Sequence, residues 1–431
     1  MEIDYRKIAE FAHKHRNDDV VKLLLGKSKY PDIEMNMAAE TILSKRKLTG
    51  KVDEWAQNPE LVFPRSLSAE QCSSLVTAQY KANLVGRITP RAAVADLTGG
   101  LGVDSWCFSK VASRVLYNEM DTSLCNAVRY NFNTLSINNI HTSNIAIGPS
   151  NILSVLEAFR PDVVYMDPAR RDGTGKKVFL MEDCSPDVLG LKDIIFQVCR
   201  HLVVKLSPMA DITMVCERLG SHCREVHIVS ARNECKEVLV WMDSEWDAEA
   251  EIVCVSLGGV SPENCLGSGF RFRKSEEIAS VATICSDAPK VGDFLFEPDK
   301  ALMKAGAYKT LSERFALPLL GKSAHFYLFS PHNATVEEKI DALPAGKLYE
   351  VIECQKFSKQ NLKDIAVRYP YADLTARGLL IDTNALKKKM DSLSKSNNDS
   401  RAGNIHIFAL RTDILGDIIL ITKRFQSSSS L

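Results

Sequence analysis

The stretch Val94–Ser105 constrains the fold of this chain more than any other part of the sequence. A short apolar run ends at Asp96, continues through a loop that contains three glycines, and opens a segment with helical apolar periodicity from Val103 onward. Glycines permit positive φ angles and close backbone approach, and a helix start presents N–H groups that have no partner within the helix. This stretch therefore predicts a strand, a tight loop and a helix start that hold a nucleotide-like ligand.

Composition narrows the class of protein. The 431 residues include 45% hydrophobic and 25% charged residues, with a formal net charge of +0, which is typical of a soluble globular protein. No apolar run approaches the ~20 residues that span a bilayer, and the segment Met1–Glu10 lacks the apolar core of a signal peptide. We therefore expect no membrane partner. The twelve cysteines include no CxxC pair, so we expect reduced thiols, no metal site and a cytoplasmic location.

Apolar runs and helical segments alternate along the middle of the chain. Five predicted strands joined by helical segments indicate right-handed βαβ units and a parallel sheet, and they cover residues 92–97, 114–119, 144–148, 162–167 and 201–206. The next apolar runs, 225–230 and 237–242, are separated by a turn too short for a parallel crossover, so they predict an antiparallel hairpin. A Rossmann-like α/β sheet that closes with one reversed strand is typical of class I S-adenosylmethionine-dependent methyltransferases, whereas NAD-binding sheets continue in parallel.

These patterns predict four domains. They are an N-terminal helical domain, a methyltransferase domain, a small α+β domain of ferredoxin-like type and a C-terminal α+β module, at residues 1–88, 89–247, 248–344 and 345–431. In the first domain, Ser68 has the form of an N-cap for one long helix that reaches about Leu84. Near the end of that helix, Gln79, Tyr80 and Lys81 either pack against the next domain or cover the ligand of the glycine loop.

The C-terminal module is modestly basic. Residues 347–431 carry fourteen lysines and arginines against nine aspartates and glutamates, a net charge of +5. Part of this charge lies in the run Lys387–Lys389. Such a bias is compatible both with a solvated helix face and with RNA docking beside a catalytic domain, and the sequence leaves both interpretations open.

The glycine loop and the strand after it carry the candidate cofactor residues. The pattern Asp96-x-x-x-Gly100-x-Gly102 matches the first methyltransferase motif, whereas the dinucleotide fingerprint GxGxxG fails because Ser105 stands at its third glycine. Glu119 follows the second strand, 23 residues after Asp96, where an acid can accept both ribose hydroxyls. The predicted end of the third strand, 146–149, has no acid to contact adenine, which leaves adenine recognition open. The predicted cofactor-binding residues are Asp96, Thr98, Gly99, Gly100, Gly102, Asp104, Glu119, Met120 and Gly148.

The fourth predicted strand ends in the segment Asp167–Arg170, beside the first strand and at the point where α/β sheets bind ligands. It resembles the fourth methyltransferase motif, in which a rigid proline fixes the preceding carboxylate where the acceptor meets the methyl group. The predicted catalytic residues are Asp167, Pro168 and Arg170. Neither this segment nor 205–208 at the end of the fifth strand contains a cysteine, and the nearest thiol that follows, Cys184, is seventeen residues after Asp167. Covalent catalysis is therefore disfavoured, and direct transfer to a nitrogen or an oxygen is favoured.

Four segments together resemble a bacterial family of class I methyltransferases with a C-terminal THUMP-like domain. They are Leu67–Ser74, Ala78–Ala82, Thr98–Asp104 and Asp167–Arg171, so the resemblance covers most of the chain. The resemblance implies S-adenosylmethionine as the cofactor. Because THUMP domains in tRNA-modifying enzymes dock RNA, it also implies tRNA or rRNA as the substrate. The expected activity is methylation of a base nitrogen by direct displacement.

Other functions are left open by the sequence. An NAD(P)-dependent oxidoreductase is the alternative enzyme, although the missing third glycine, the spacing from Asp96 and the closing hairpin argue against it. A non-catalytic RNA-binding or assembly protein can retain the same fold, and a protein or a small molecule can be the methyl acceptor. The sequence does not determine the nucleotide, the acceptor atom or the oligomeric state.

Overall fold

The computed structural model describes residues 3–170, 184–258, 269–330, 340, 342–393 and 404–425. The chain divides into two compact units, Met1–Gly269 and Phe270–Leu431. Within the described residues, no helix combines the length and the apolar character that crossing a membrane requires.

The first unit begins with six helices, α1 (Tyr5–Lys14), α2 (Val20–Leu25), α3 (Met35–Leu48), α4 (Asp53–Gln57), α5 (Ser66–Gln71) and α6 (Leu75–Ile88). The single long helix predicted from Ser68 is wrong, because the chain leaves helical geometry after α5 and Ser74 caps α6. The Ser74 hydroxyl accepts the Thr77 N–H at 3.4 Å, and the Leu75 N–H donates to the Lys51 carbonyl oxygen at 2.9 Å. This long-range bond ties the break to the segment between α3 and α4, which local periodicity does not reveal.

The strands of the first unit are β1 (Ala93–Asp96), β2 (Arg114–Asn118), β3 (Ile140–Ser143), β4 (Val163–Met166), β5 (Ala169–Arg170), β6 (Cys184–Ser185), β7 (His201–Leu206), β8 (Cys223–Ala231), β9 (Glu234–Asp243) and β10 (Glu251–Ser256). Its remaining helices are α7 (Val103–Ser109), α8 (Thr122–Thr134), α9 (Ile152–Phe159), α10 (Val188–Ile195) and α11 (Ile212–Leu219). Eight strands of this unit are neighbours in one sheet, in the order β10-β8-β9-β7-β4-β1-β2-β3, and β5 pairs with β6 separately.

The sheet has the predicted Rossmann-like topology. Strands β3, β2, β1, β4 and β7 are parallel neighbours, and β9 runs antiparallel to both β7 and β8. The closing hairpin and the single reversed strand are therefore confirmed. Helix and sheet share one core, in which Trp55 and Leu84 belong to the same cluster as Val94, Val115 and Val203.

The predicted position of the third strand, 144–148, is wrong. Strand β3 is Ile140–Ser143, and it pairs with β2 from Val115↔Ile140 to Asn118↔Ser143. As the edge strand it is only partly buried, so it lacks the apolar run that marks the inner strands. The apolar residues that suggested a strand follow it in a loop, where the Ile145 N–H donates to Oδ1 of Asn118 at 3.1 Å.

The second unit comprises β11 (Phe270–Arg273), α12 (Lys274–Ala279), β12 (Phe294–Pro298), α13 (Lys300–Ala305), α14 (Tyr308–Arg314), β13 (Tyr327–Phe329), β14 (Gly346–Lys356), α15 (Lys359–Arg368), β15 (Asp373–Arg377), α16 (Thr383–Leu393), β16 (Ile405–Arg411) and β17 (Asp417–Arg424). Its six-stranded sheet has the order β13-β12-β14-β17-β16-β15. Leu295 and Phe326 share a core cluster with Val351 and Phe408, so the residues before and after position 345 pack together.

The domain boundaries predicted at 248 and 345 differ from these two units. Strand β10 pairs in parallel with β8, which extends the first sheet beyond residue 247. Strand β12 pairs with β14, so the boundary at 345 falls within the second sheet. Both differences arise because strand pairing joins segments that are separate along the sequence.

Candidate cofactor and catalytic site

The glycine loop packs closely against the end of β2. A Cβ atom added at Gly99 would lie 2.2 Å from Cε2 of Tyr117, so only glycine fits at this position. The Tyr117 hydroxyl donates a hydrogen bond to the Gly100 carbonyl oxygen at 2.6 Å, and the Gly99 N–H donates to the Asn118 carbonyl oxygen at 2.7 Å. These contacts hold the loop at the carboxyl end of the sheet.

Gly102 turns the chain from the loop into α7. Its φ angle of 89° is one that residues with a side chain rarely adopt. A Cβ atom at this position would also lie 2.8 Å from Phe132 and 2.9 Å from Val128, both on α8. The strand, loop and helix start predicted from the sequence are confirmed, and helix packing explains the glycine as well as its backbone angle.

Asp96 lies beneath the loop and is only 1% exposed. Its Oδ1 accepts the Thr98 N–H at 3.1 Å, and its Oδ2 accepts the Ser105 hydroxyl at 2.6 Å. Burial raises the pKa of Asp96 to about 8, against the opposing effect of these hydrogen bonds. Asp96 therefore braces the loop against the first turn of α7, and its contact with a cofactor stays a prediction.

Glu119 connects the end of β2 to the glycine loop. Its Oε2 accepts the Gly100 N–H at 2.9 Å, and its Oε1 accepts the Asp121 N–H at 2.8 Å. Asn144, which directly follows β3, donates from Nδ2 to the carbonyl oxygens of Glu119 at 2.6 Å and of Met120 at 3.1 Å. Asn144 orients this turn, and the misplaced third strand is the reason that the sequence analysis missed it. Met120 is 70% exposed beside Glu119.

Asp167 joins the glycine loop from the neighbouring strand. Its backbone N–H donates to the Thr98 hydroxyl oxygen at 2.6 Å. Its Oδ2 accepts a hydrogen bond from Nζ of Lys205, on β7, at 2.5 Å. Lys205 is not among the site residues predicted from the sequence, although a lysine inside an apolar strand is a signal for a functional role.

A buried cluster of charges lies beside these residues. The Lys81 ammonium, on α6, is 3.0 Å from Glu237 on β9 and 3.2 Å from Asp104 on α7. Burial alone would lower the pKa of Lys81, but these two carboxylates outweigh it and raise the pKa. Oδ2 of Asp104 accepts hydrogen bonds from the Ser73 hydroxyl at 3.0 Å and from the Tyr165 hydroxyl at 2.9 Å.

This cluster bears on three residues proposed for ligand contact. Asp104, which was predicted to bind the cofactor, is buried in this cluster, and its hydrogen bonds lie beneath the loop. Tyr80 and Lys81 are also fully buried, Tyr80 with its hydroxyl 2.7 Å from Nδ1 of His227. Packing against the sheet is therefore the role that their contacts support.

Gly148 and Arg170, two further predicted site residues, have few described contacts. The Gly148 N–H donates to Oδ1 of Asn151 at 2.9 Å, in the loop before α9. Arg170 pairs through its backbone with Cys184 between β5 and β6, and its side chain is outside the described part of the structure. Arg171 also lies outside the described residues.

Solved structures of other proteins are similar to this chain. A crystal structure of a Porphyromonas gingivalis W83 protein described as a methyltransferase matches with 26% identity and a TM-score of 0.82, covering 99% of this chain and 100% of that chain. A Streptococcus mutans protein described as a methyltransferase, in complex with SAH, has 12% identity over 40% of this chain and 99% of its own, with a TM-score of 0.28. An rRNA methylase from Streptococcus thermophilus has 12% identity over 38% of this chain and 93% of its own, also with a TM-score of 0.28.

The other comparisons concern the C-terminal half and the curated proteins. A family model described as a ferredoxin-like domain matches residues 294–334, which span β12 to β13. The THUMP-like character predicted for residues 345–431 stays a prediction. None of the curated proteins matches the chain.

The fold is that of a class I methyltransferase, with an additional C-terminal α/β unit that includes a ferredoxin-like region. Within that class it is similar over its whole length to the Porphyromonas gingivalis protein.

Proposed function

We propose that S-adenosylmethionine binds along the carboxyl ends of β1 and β2, with its ribose at Glu119. Each oxygen of Glu119 accepts one backbone N–H, and a carboxylate oxygen has a second acceptor site, so the group fits two ribose hydroxyls. Thr98, Gly99, Gly100 and Gly102 supply the loop at the methionine end, and Met120 and Gly148 flank the adenosine end. In this proposal Asp96 and Asp104 act from beneath the loop, by holding its conformation.

We infer further that Asp167 receives the methyl acceptor. The observation that carries this inference is the 2.6 Å hydrogen bond from the Asp167 N–H to the Thr98 hydroxyl oxygen, because it joins the catalytic segment to the cofactor loop. The cofactor supplies an electrophilic methyl group, so the protein has mainly to align the acceptor with it. The Asp167 carboxylate accepts the N–H of the acceptor, and Pro168 keeps the segment rigid.

The Cys72 thiol near the site supports direct displacement without a covalent intermediate. Burial raises the pKa of the Cys72 thiol, and this effect is larger than those of the nearby charges of Lys51, Asp104 and Lys205. Its Sγ donates to the Ala69 carbonyl oxygen at 3.3 Å. A protonated thiol is a poor nucleophile, so a covalent cysteine intermediate is not part of the proposal.

The proposed substrate is a base of tRNA or rRNA. Its support is the net charge of +5 in residues 347–431 together with the exposed run Lys387–Lys389 on α16. We place the activity in the cytoplasm, because the eleven cysteines that the structure describes are not joined in disulfides.

The test uses RNA from a strain that lacks the gene, together with S-adenosylmethionine labelled in its methyl group. Wild-type protein is expected to transfer label to tRNA or rRNA, and mass spectrometry of nucleosides identifies the methylated base. Asp167→Ala is expected to lose at least about 100-fold in rate while still binding S-adenosylhomocysteine. Glu157→Ala, an exposed change on α9, is the control for activity.

Two results would oppose the proposal. RNA that binds the protein but never receives label would favour the non-catalytic RNA-binding alternative. Label that enters a protein or small-molecule fraction instead would leave the methyltransferase class intact and overturn the RNA substrate.

A further inference from the structure

We propose that Lys205 is a positioning residue for methyl transfer, and that it presents one oxygen of Asp167 to the acceptor. Its ammonium group binds Oδ2 of Asp167 and leaves Oδ1 to accept the hydrogen of the acceptor. This inference rests on the proposed function, because it gives Lys205 a task only if Asp167 receives the acceptor.

Two anchors fix the orientation of Asp167. Its backbone N–H is held by the Thr98 hydroxyl oxygen at 2.6 Å, and its Oδ2 by the Lys205 ammonium at 2.5 Å. The Lys205 side chain is 15% exposed, whereas that of Asp167 is 35% exposed. The lysine therefore approaches from the protein side, and the carboxylate keeps an open side toward solvent. A carboxylate that is bound at one oxygen cannot rotate freely, so its other oxygen stays oriented in one direction.

The surroundings of Lys205 keep the ion pair formed. Burial alone would lower the pKa of Lys205, but the carboxylates of Asp167, Glu237 and Asp104 outweigh this effect and raise it. Several elements bring charged or titratable groups into electrostatic interaction with Lys205. These groups are Asp167 after β4, Glu237 on β9, Asp104 on α7, Lys81 on α6, and Lys51 and Cys72 in the helical segment. Lys205 thus stays protonated across the neutral range.

The reaction then needs no proton from Lys205. The N–C bond to the methyl group forms as the S–C bond breaks, and the sulfur keeps the electron pair of that bond. The proton of the acceptor nitrogen passes to Oδ1 of Asp167 and then to water. Lys205 remains an ammonium throughout, and it acts only through Asp167.

The test compares Lys205→Met, Lys205→Gln and Lys205→Arg with wild type in the labelled-RNA assay. Both neutral variants are expected to lose about 100-fold in kcat, the cost of a misplaced catalytic group, with little change in the Kd for S-adenosylhomocysteine. Lys205→Arg is expected to recover most of the rate, because a guanidinium group can hold the same carboxylate oxygen.

Lys192 provides a matched control. Its side chain is 19% exposed, and its Nζ lies 2.8 Å from Asp193 on the same helix. Lys192→Met is expected to leave kcat and the Kd for S-adenosylhomocysteine unchanged. If Lys205→Met does not fold, Lys205→Gln decides the comparison, and equal rates for Lys205→Gln and Lys205→Arg overturn the inference.

The same experiment separates this inference from the proposed function. If wild type transfers no label to RNA, or Asp167→Ala keeps the full rate, the proposed function is wrong. If Asp167→Ala is inactive while Lys205→Gln keeps the wild-type rate, only the role of Lys205 is wrong.

Discussion

The Glu119 carboxylate at the end of β2 accepts a hydrogen bond from the backbone N–H of Gly100 at 2.9 Å. This bond links the predicted ribose-binding acid to the loop predicted to hold the methionine end of the cofactor. A second backbone donor, the Asp121 N–H, binds the other oxygen at 2.8 Å. The acid is therefore oriented by the protein itself, and such preorganisation lowers the entropic cost of binding.

Replacing Glu119 by alanine is expected to weaken cofactor binding. The change removes the ribose acceptor and leaves the Gly100 N–H without this partner, and hydrogen bonds to charged groups contribute about 1.5–3 kcal/mol each. We expect the Kd for S-adenosylhomocysteine to rise by at least about 10-fold in isothermal titration calorimetry. Glu157→Ala, which lies on the exposed side of α9, is the control. An unchanged Kd for Glu119→Ala would contradict the assigned ribose site.

Gly99→Ala is expected to disturb the loop, whereas Gly148→Ala is expected to be tolerated. The new methyl group at position 99 would meet the Tyr117 ring at 2.2 Å, while nothing lies within 4 Å of the same atom at position 148. Overpacking costs about 1–3 kcal/mol, and an unhindered surface change about 0.5 kcal/mol or less. Urea unfolding measures both free energies. Equal stability of the two variants would show that the loop can move away from Tyr117.

Lys81→Met is expected to destabilise the protein by about 3–5 kcal/mol, because it leaves buried carboxylates without their cation. Lys81 Nζ contacts Glu237 at 3.0 Å and Asp104 at 3.2 Å, and its side chain is not exposed. The double variant Lys81→Met with Glu237→Leu removes one of those charges and is expected to recover part of the loss. Urea unfolding tests both, and a loss below about 1 kcal/mol in the single variant would show that water reaches the cluster.

Asp96→Asn is expected to change how stability depends on pH. The pKa of Asp96 is raised by burial to about 8 from an ordinary value of 3.8, so the folded protein keeps a proton that the unfolded chain has released. The stability that this proton contributes is fully present below the pKa of the group in the unfolded chain, and it is lost as pH rises toward 8, by about 1.4 kcal/mol per pH unit. Relative to wild type, Asp96→Asn should therefore gain stability between pH 5 and pH 8 in urea unfolding.

Asp243→Asn is the matched control for that measurement. Burial would raise the pKa of Asp243, but hydrogen bonds from Arg200 and Arg224 outweigh it and hold the pKa below its ordinary value. Its stabilising contribution is lost only as pH falls toward that lowered pKa, so its difference from wild type should stay constant between pH 5 and pH 8. Parallel curves for Asp96→Asn and wild type would mean that Asp96 is ionised in the folded protein.

Local sequence signals predicted most of the first unit. Alternation of apolar runs and helices indicated the parallel strands β1, β2, β4 and β7, and the short connection after β8 required the reversed strand β9. The edge strand β3 was misplaced because its residues are only partly buried, so no apolar run marks it. The break after α5 was missed because it depends on the hydrogen bond from the Leu75 N–H to the Lys51 carbonyl oxygen.

The sequence by itself determined the class of fold and the candidate loop, because strand alternation, glycine spacing and strand-end acids are local patterns. Only the tertiary structure decided which charges meet. Lys81 and Glu237 are 156 residues apart, and Asp167 and Lys205 are 38 apart, yet each pair is in contact. Such contacts depend on which strands become neighbours and on which side chains lose water together, and the burial that shifts the pKa of Asp96 arises in the same way.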